Sequence, residues 1–170
     1  MKRADFLANS HLFLGKIVAL FLLLSLYFFL SSSPAWALSY GKENLIERDF
    51  SSQDLRDSGF DHANLRSSNF SNVQAQGVRF FAANLESVNF QGANLTNADF
   101  ESARLTRVNF KDAILEGAFV TNAKFDGAII EGADFTDVLL RPSIQKNLCE
   151  YASGVNPVTG RETRETLLCS

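Results

Sequence analysis

An apolar residue returns every fifth position for a hundred residues without one insertion. From Leu45 through Phe50, Leu55 and Phe60 to Phe135 and Leu140, all twenty such positions are apolar. Seventeen of them are Leu or Phe, the exceptions being Ala75, Val120 and Ile130. Two residues before these centres runs a second column of small apolar residues, Ala at positions such as 63, 83, 93 and 98 and Val at 73, 78, 88, 108 and 138. Five is an odd number, so in a strand successive centres would point to opposite faces. In an α-helix five residues advance about 500°, or about 140° net, and would scatter the column around the axis. A chain that bends regularly every five residues keeps all of the centres inside. The period therefore predicts a solenoid whose coils satisfy one another's backbone groups.

The alternation of Leu and Phe sets the number of sides. Like centres recur every ten residues, so a four-sided coil of twenty stacks Phe on Phe and Leu on Leu, whereas three sides would mix them. Residues 43–142 then make about five coils, on the order of 24 Å tall at roughly 4.8 Å per coil. If Phe and Leu fill the interior, it has no room for a ligand. Asn or Asp precedes the centre at eleven sites, among them Asn44, Asp49, Asn64, Asn84 and Asp134. These side chains favour turns by bonding to their own neighbouring backbone. Gly falls two after the centre at 77, 92, 117, 127 and 132, where a corner calls for an unusual backbone angle.

The repeat departs from itself in two places. Ala75 removes volume between Leu55 and Leu95, which Val73 and Val78 are placed to refill. After Phe110 the alternation changes phase, so Val120 follows Phe100 in its column and Phe125 follows Leu105. Apolar residues also fall at outward positions: Phe81, Ile114, Phe119, Ile129 and Leu139. Phe119 and Leu139 are twenty apart and should share one outer side, with Phe81 flanking it. They form a candidate interaction patch, unless the C-terminal segment folds over it.

Outside the repeat, residues 1–37 read as a cleaved export signal. Lys2, Arg3 and Lys16 precede the apolar run Ile17–Leu30, and Pro34 leads to a small-residue site ending at Ala37. The run is short for a membrane span, which needs about 20 residues, although an uncleaved anchor is the alternative. Residues 38–42 read as a lead-in. The presumed mature chain carries 13 Lys/Arg against 18 Asp/Glu, net −5. That surface argues against a nucleic-acid partner, which needs a basic footprint. No membrane association is expected after signal removal.

After Pro142, residues 143–170 read as a cap, because an open solenoid end templates aggregation. Ile144, Leu148 and Tyr151 share a helical face with Gly154 as its stop, a turn follows over 156–160, and Thr163–Leu168 suggests a second short helix. Cys149 and Cys169 are the chain's two cysteines. In an exported protein they are most simply a disulfide, with reduced thiols in a packed cap as the alternative.

Three pentapeptides, Ala-Asn-Leu-Glu-Ser (83–87), Ala-Asn-Leu-Thr-Asn (93–97) and Ala-Asp-Phe-Glu-Ser (98–102), resemble the A(D/N)LXX motif of the pentapeptide repeat family. That resemblance implies an all-β solenoid, a right-handed quadrilateral β-helix. The tail from Leu148 to Cys169 is similar to that of the thylakoid-lumenal members of cyanobacteria and chloroplasts. Together with the leader it points to the thylakoid lumen, with a bacterial periplasm as the alternative.

No acid/base constellation, phosphate loop or metal-ligand spacing stands out, so neither catalysis nor a cofactor or metal is expected. His62, alone after signal removal, falls at a corner and reads as an exposed polar residue. The function expected is a non-catalytic interaction scaffold with a protein partner that the sequence does not name; its oligomeric state is equally unread. The alternative is a nucleic-acid mimic that inhibits a DNA topoisomerase, as some family members do, and the export signal disfavours it.

Overall fold

The computed structural model describes residues 38–170, so the expected leader and its cleavage after Ala37 lie outside the described residues. From Ser39 onward, every fifth residue pairs in parallel with the residue twenty further on, from Ser39 with Gly59 to Ile114 with Asp134. The coil therefore has twenty residues and four sides. Each side is tied to the next coil by three backbone bonds. Leu45 N–H donates to the Asn64 carbonyl at 2.8 Å, Asn64 N–H to that of Glu43 at 2.9 Å, and Glu47 N–H to that of Arg66 at 2.9 Å. A bend every five residues leaves too little length for continuous strands, so pairing appears as isolated parallel bridges.

The corners are more uniform than the glycines alone suggest. At each one the N–H three residues after the centre donates to the centre's carbonyl, as Ala63 does to Phe60 at 3.0 Å. The residue two after the centre has positive φ at every corner from Lys42 to Asp137, whether or not it is Gly. This is the pattern of a type II turn. No β-branched residue occupies the position, as its left-handed backbone demands. Before the centre, Asn and Asp side chains accept the N–H two residues on, as Asp99 does from Glu101 at 2.9 Å and Asn109 from Lys111 at 3.0 Å.

The bore is filled by aromatic rings. Tyr40, Phe60, Phe80 and Phe100 form one column, with successive centroids 4.7–5.2 Å apart. Phe50, Phe70, Phe90 and Phe110 form the opposite one. The columns meet edge-to-face across the axis at 5.5–6.0 Å, a favourable arrangement for aromatic pairs. Ala75, Val73 and Val78 are all fully buried. In the last coil Val120 and Ile130 end the Phe columns, while Phe125 and Phe135 end the Leu columns. Each of the last two coils thus keeps two aromatic and two aliphatic centres.

Three expected boundaries shift. Residues 38–42 belong to the first coil rather than to a lead-in, because Tyr40 takes a centre position and stacks on Phe60 at 4.7 Å. The last corner bond is from Val138 N–H to the Phe135 carbonyl, so Leu140 is only half-buried. Helix α1 spans Pro142–Cys149 with Pro at its start, where a missing N–H costs nothing; the cap begins one residue earlier than 143. The expected stop at Gly154 is also replaced. Past Cys149 the chain turns back to the solenoid, where the Ser153 carbonyl accepts Gly132 N–H at 2.8 Å. Tyr151 is therefore exposed, while Leu148 is buried and Ile144 half-buried. Val155 pairs antiparallel with Glu162, and helix α2 spans Thr163–Thr166. No helix among the described residues is long and apolar enough to cross a membrane.

Candidate functional site

A filled bore leaves the outer sides and the two ends as places where chemistry or binding can occur. His62 sits at a corner, exposed, its ring edge-on to Phe81 at 5.6 Å. Its neighbour Asp61 is engaged by Arg79 at 3.0 Å. Among the described residues no group of three or more His, Cys, Asp or Glu side chains is arranged to hold a metal.

Phe119 and Leu139 do share a side, and they border a common hollow with Val120 and Asp137. They are 58% and 90% exposed. Phe81 is not part of this patch. It projects from a corner, is half-buried and leans on His62. On the patch's own side, Asp99 bridges to Phe119 and Arg79 to Asp99, so polar side chains intervene. The five-residue phase decides this, since Phe81 follows a centre whereas Phe119 and Leu139 precede one.

The structure adds a residue that periodicity could not supply. Leu168, 81% exposed, is delivered by the cap to the edge of the last coil. Together with Val138 and Leu139 it lines an open groove of about 480 Å³. The charged residues of the groove are Asp137, Glu165 and Arg161. A smaller hollow continues between Leu139, Leu140, Gln145 and Leu168. The leucine pair Leu167-Leu168 was visible in the sequence, but which of the two faces outward was not. Leu167 is buried.

The cap that forms this groove is held by polar contacts, those of Asn156 buried and those of Arg161 nearer the surface. Asn156, wholly buried, donates through Nδ2 to the carbonyls of Gly132 at 2.9 Å and of Asp112 and Ala113 at 3.2 Å each. Its Oδ1 accepts the N–H groups of Val158 and Thr159 at 3.0 Å each. Arg161 Nη1 donates to Glu116 at 2.7 Å, to Thr136 Oγ1 at 2.9 Å and to Asp134 at 3.1 Å. Burial pushes the Asp134 carboxyl upward, but hydrogen bonds from Thr136 and Thr159 and the charge of Arg161 outweigh it. The net effect is below the ordinary value of 3.8. Gly154, with φ of +87°, lies so close to Gly132 that a Cβ would fall 2.7 Å from the Gly132 nitrogen. Cys149 and Cys169 are joined by a disulfide, with Cα atoms 5.6 Å apart, which ties the end of α1 to the end of the chain.

Comparison with known proteins identifies the architecture. A family model described as a pentapeptide repeat region matches residues 45–120, and one described as pentapeptide repeats, eight copies, matches residues 103–141. A crystal structure of a pentapeptide repeat protein from the Arabidopsis thaliana thylakoid lumen is 41% identical, with a TM-score of 0.75. The match covers 84% of this chain and 99% of that one. HetL of Nostoc sp. strain PCC 7120, a pentapeptide repeat protein involved in regulating heterocyst differentiation, is 24% identical over 57% of this chain and 48% of its own, TM-score 0.45. QnrB1, a plasmid-mediated fluoroquinolone resistance protein, is 19% identical over 61% and 75%, TM-score 0.28. No curated protein matches the sequence. No catalytic family is indicated. By its twenty-residue coil, its type II corners and this 41% identity, the chain belongs to the pentapeptide repeat family.

Proposed function

We propose that this chain is a non-catalytic protein-interaction scaffold of the thylakoid lumen, a right-handed quadrilateral β-helix that engages a partner through its outer faces. The observation that carries this reading is the distribution of apolar surface. The aromatic columns close the interior, yet Phe119 and Leu139 stand exposed side by side at the capped end. Large apolar residues clustered on a surface mark interaction sites more often than they occur by chance. The lumenal address is supported by the 41% identity to a lumenal protein across nearly all of its length. The basic and apolar leader ending at Ala37 and the disulfide in the cap agree with export. The net charge of −5 after residue 37 favours a protein partner over a nucleic acid.

Two measurements test this reading. Protease treatment of intact thylakoids should spare the protein, and its N-terminus should begin at Leu38; a full-length, protease-sensitive chain would exclude the lumenal assignment. Affinity capture from the lumen should recover a protein partner that is lost with Phe119→Asp or Leu139→Asp while circular dichroism is unchanged. If either variant unfolds, the patch belongs to the cap's packing instead.

A further inference from the structure

The groove at the capped end has a shape and charge that specify its occupant more narrowly. It runs from Val138 past Leu139 to Leu168 and continues beyond them into the hollow beside Gln145. Leu139 also borders the hollow shared with Phe119. An apolar trough with several connected hollows fits a chain laid along it, with successive side chains entering each depression, in the manner of peptide-binding grooves. Its volume of about 480 Å³ is within the size range of ligand clefts.

The charges decide what flanks that chain. Of the three charged residues on the groove, Arg161 is already shared between Glu116 at 2.7 Å and Asp134 at 3.1 Å. Asp137 and Glu165 are exposed, and among the described residues neither forms an ion pair. The groove thus presents leucines together with two carboxylates that form no ion pair among the described residues. An anionic lipid headgroup or nucleic acid would be repelled, whereas a lysine or arginine beside an apolar stretch would be attracted. We infer that this groove takes a short extended polypeptide segment, apolar in its middle and bearing lysine or arginine at its ends. This rests on the reading of the protein as an interaction scaffold and names the partner's recognition element.

The probes are three. One is a synthetic decapeptide with a leucine-rich centre and lysines at both ends, the second the same peptide with glutamates in place of the lysines, the third vesicles of phosphatidylcholine. Binding to the full chain is read by nuclear magnetic resonance of backbone amides. The lysine peptide should bind about tenfold more tightly than the glutamate peptide, as two exposed ion pairs allow, and should shift Leu139 and Leu168. The double variant Asp137→Lys/Glu165→Lys, altered at exposed positions, should reverse the preference with its circular dichroism unchanged. Equal affinity for the two peptides, shifts confined to another face, or binding to vesicles alone overturns the inference. So does a natural partner captured equally well by the wild-type chain and the charge-reversed variant. That last result would leave the scaffold reading standing, whereas absence of any partner sensitive to Leu139→Asp would remove the scaffold reading itself.

Discussion

At Ala82 the backbone has φ of 54°, a conformation that costs a side-chain-bearing residue roughly 1–2 kcal/mol. The cost is smaller at the Asn and Asp corners, such as Asn72 and Asp112, whose side chains suit that conformation. Such strain is tolerated because three backbone bonds per side hold the corner in place. Ala82→Gly should therefore stabilise the chain by about 0.5–1 kcal/mol, reversing the usual cost of glycine. Ala82→Val should destabilise it, and urea denaturation distinguishes the two. Asn156 is the opposite case, a single residue with no repeat behind it. Its five hydrogen bonds join the cap's turn to the carbonyls of Asp112, Ala113 and Gly132. Asn156→Ala should cost about 2–4 kcal/mol, since buried polar groups are left without partners, and the loss should be seen first in hydrogen exchange of the cap. Asp134 adds a pH dependence of known sign. Its carboxyl lies below 3.8 in the folded chain, so its stabilising contribution is complete above the unfolded value and is lost as pH falls through the lower folded value. The difference in urea midpoint between wild type and Asp134→Asn should be constant near neutrality and close only below pH 3.8.

The elements behave as two kinds of unit. Within the solenoid each coil packs only on its neighbours, so the aromatic columns are its stabilising feature. Phe100 touches Phe80 at 5.2 Å and both Phe90 and Phe110 at 6.0 Å. Phe100→Ala should cost about 3–5 kcal/mol by loss of burial and creation of a cavity, measured by equilibrium denaturation. In the cap, the disulfide closes a separation of 20 residues. Cys149→Ser/Cys169→Ser should remove about 3 kcal/mol from the cap's stability on chain-entropy grounds. Coils far from the cap should keep their hydrogen-exchange protection, because a solenoid's stability is a sum of nearest-neighbour terms. Leu168 would then lose its fixed place beside Leu139, and the groove would open before the solenoid does.

Over the whole molecule, the two ends of the stack are treated differently. The C-terminal end is covered by a structured cap. In the first coil the positions that in most later coils hold buried Ala, Val or Ser are filled by Glu43, Arg48 and Gln53, all exposed. Charges at a sheet edge discourage pairing with another chain. Glu43→Val/Arg48→Val should accordingly raise the sedimentation coefficient in a concentration-dependent way. The coil length, the filled bore, the turn-forming Asn and Asp residues and the place of Phe119 beside Leu139 were all legible in the sequence. They follow from a rule that repeats every five residues and depends only on near neighbours. Phe81's exclusion from the patch follows from the same five-residue phase, since it comes after a centre and Phe119 and Leu139 come before one. Leu168's arrival beside Leu139, Asn156's role and the unpaired carboxylates of the groove were not legible. Each depends on contacts between residues tens of positions apart, made by a segment with no period. Sequence alone determined the scaffold because local steric constraints, repeated, leave one way to bury the centres. Only the tertiary structure decided the site, because its docking is specified by hydrogen bonds and one covalent link that no local pattern encodes.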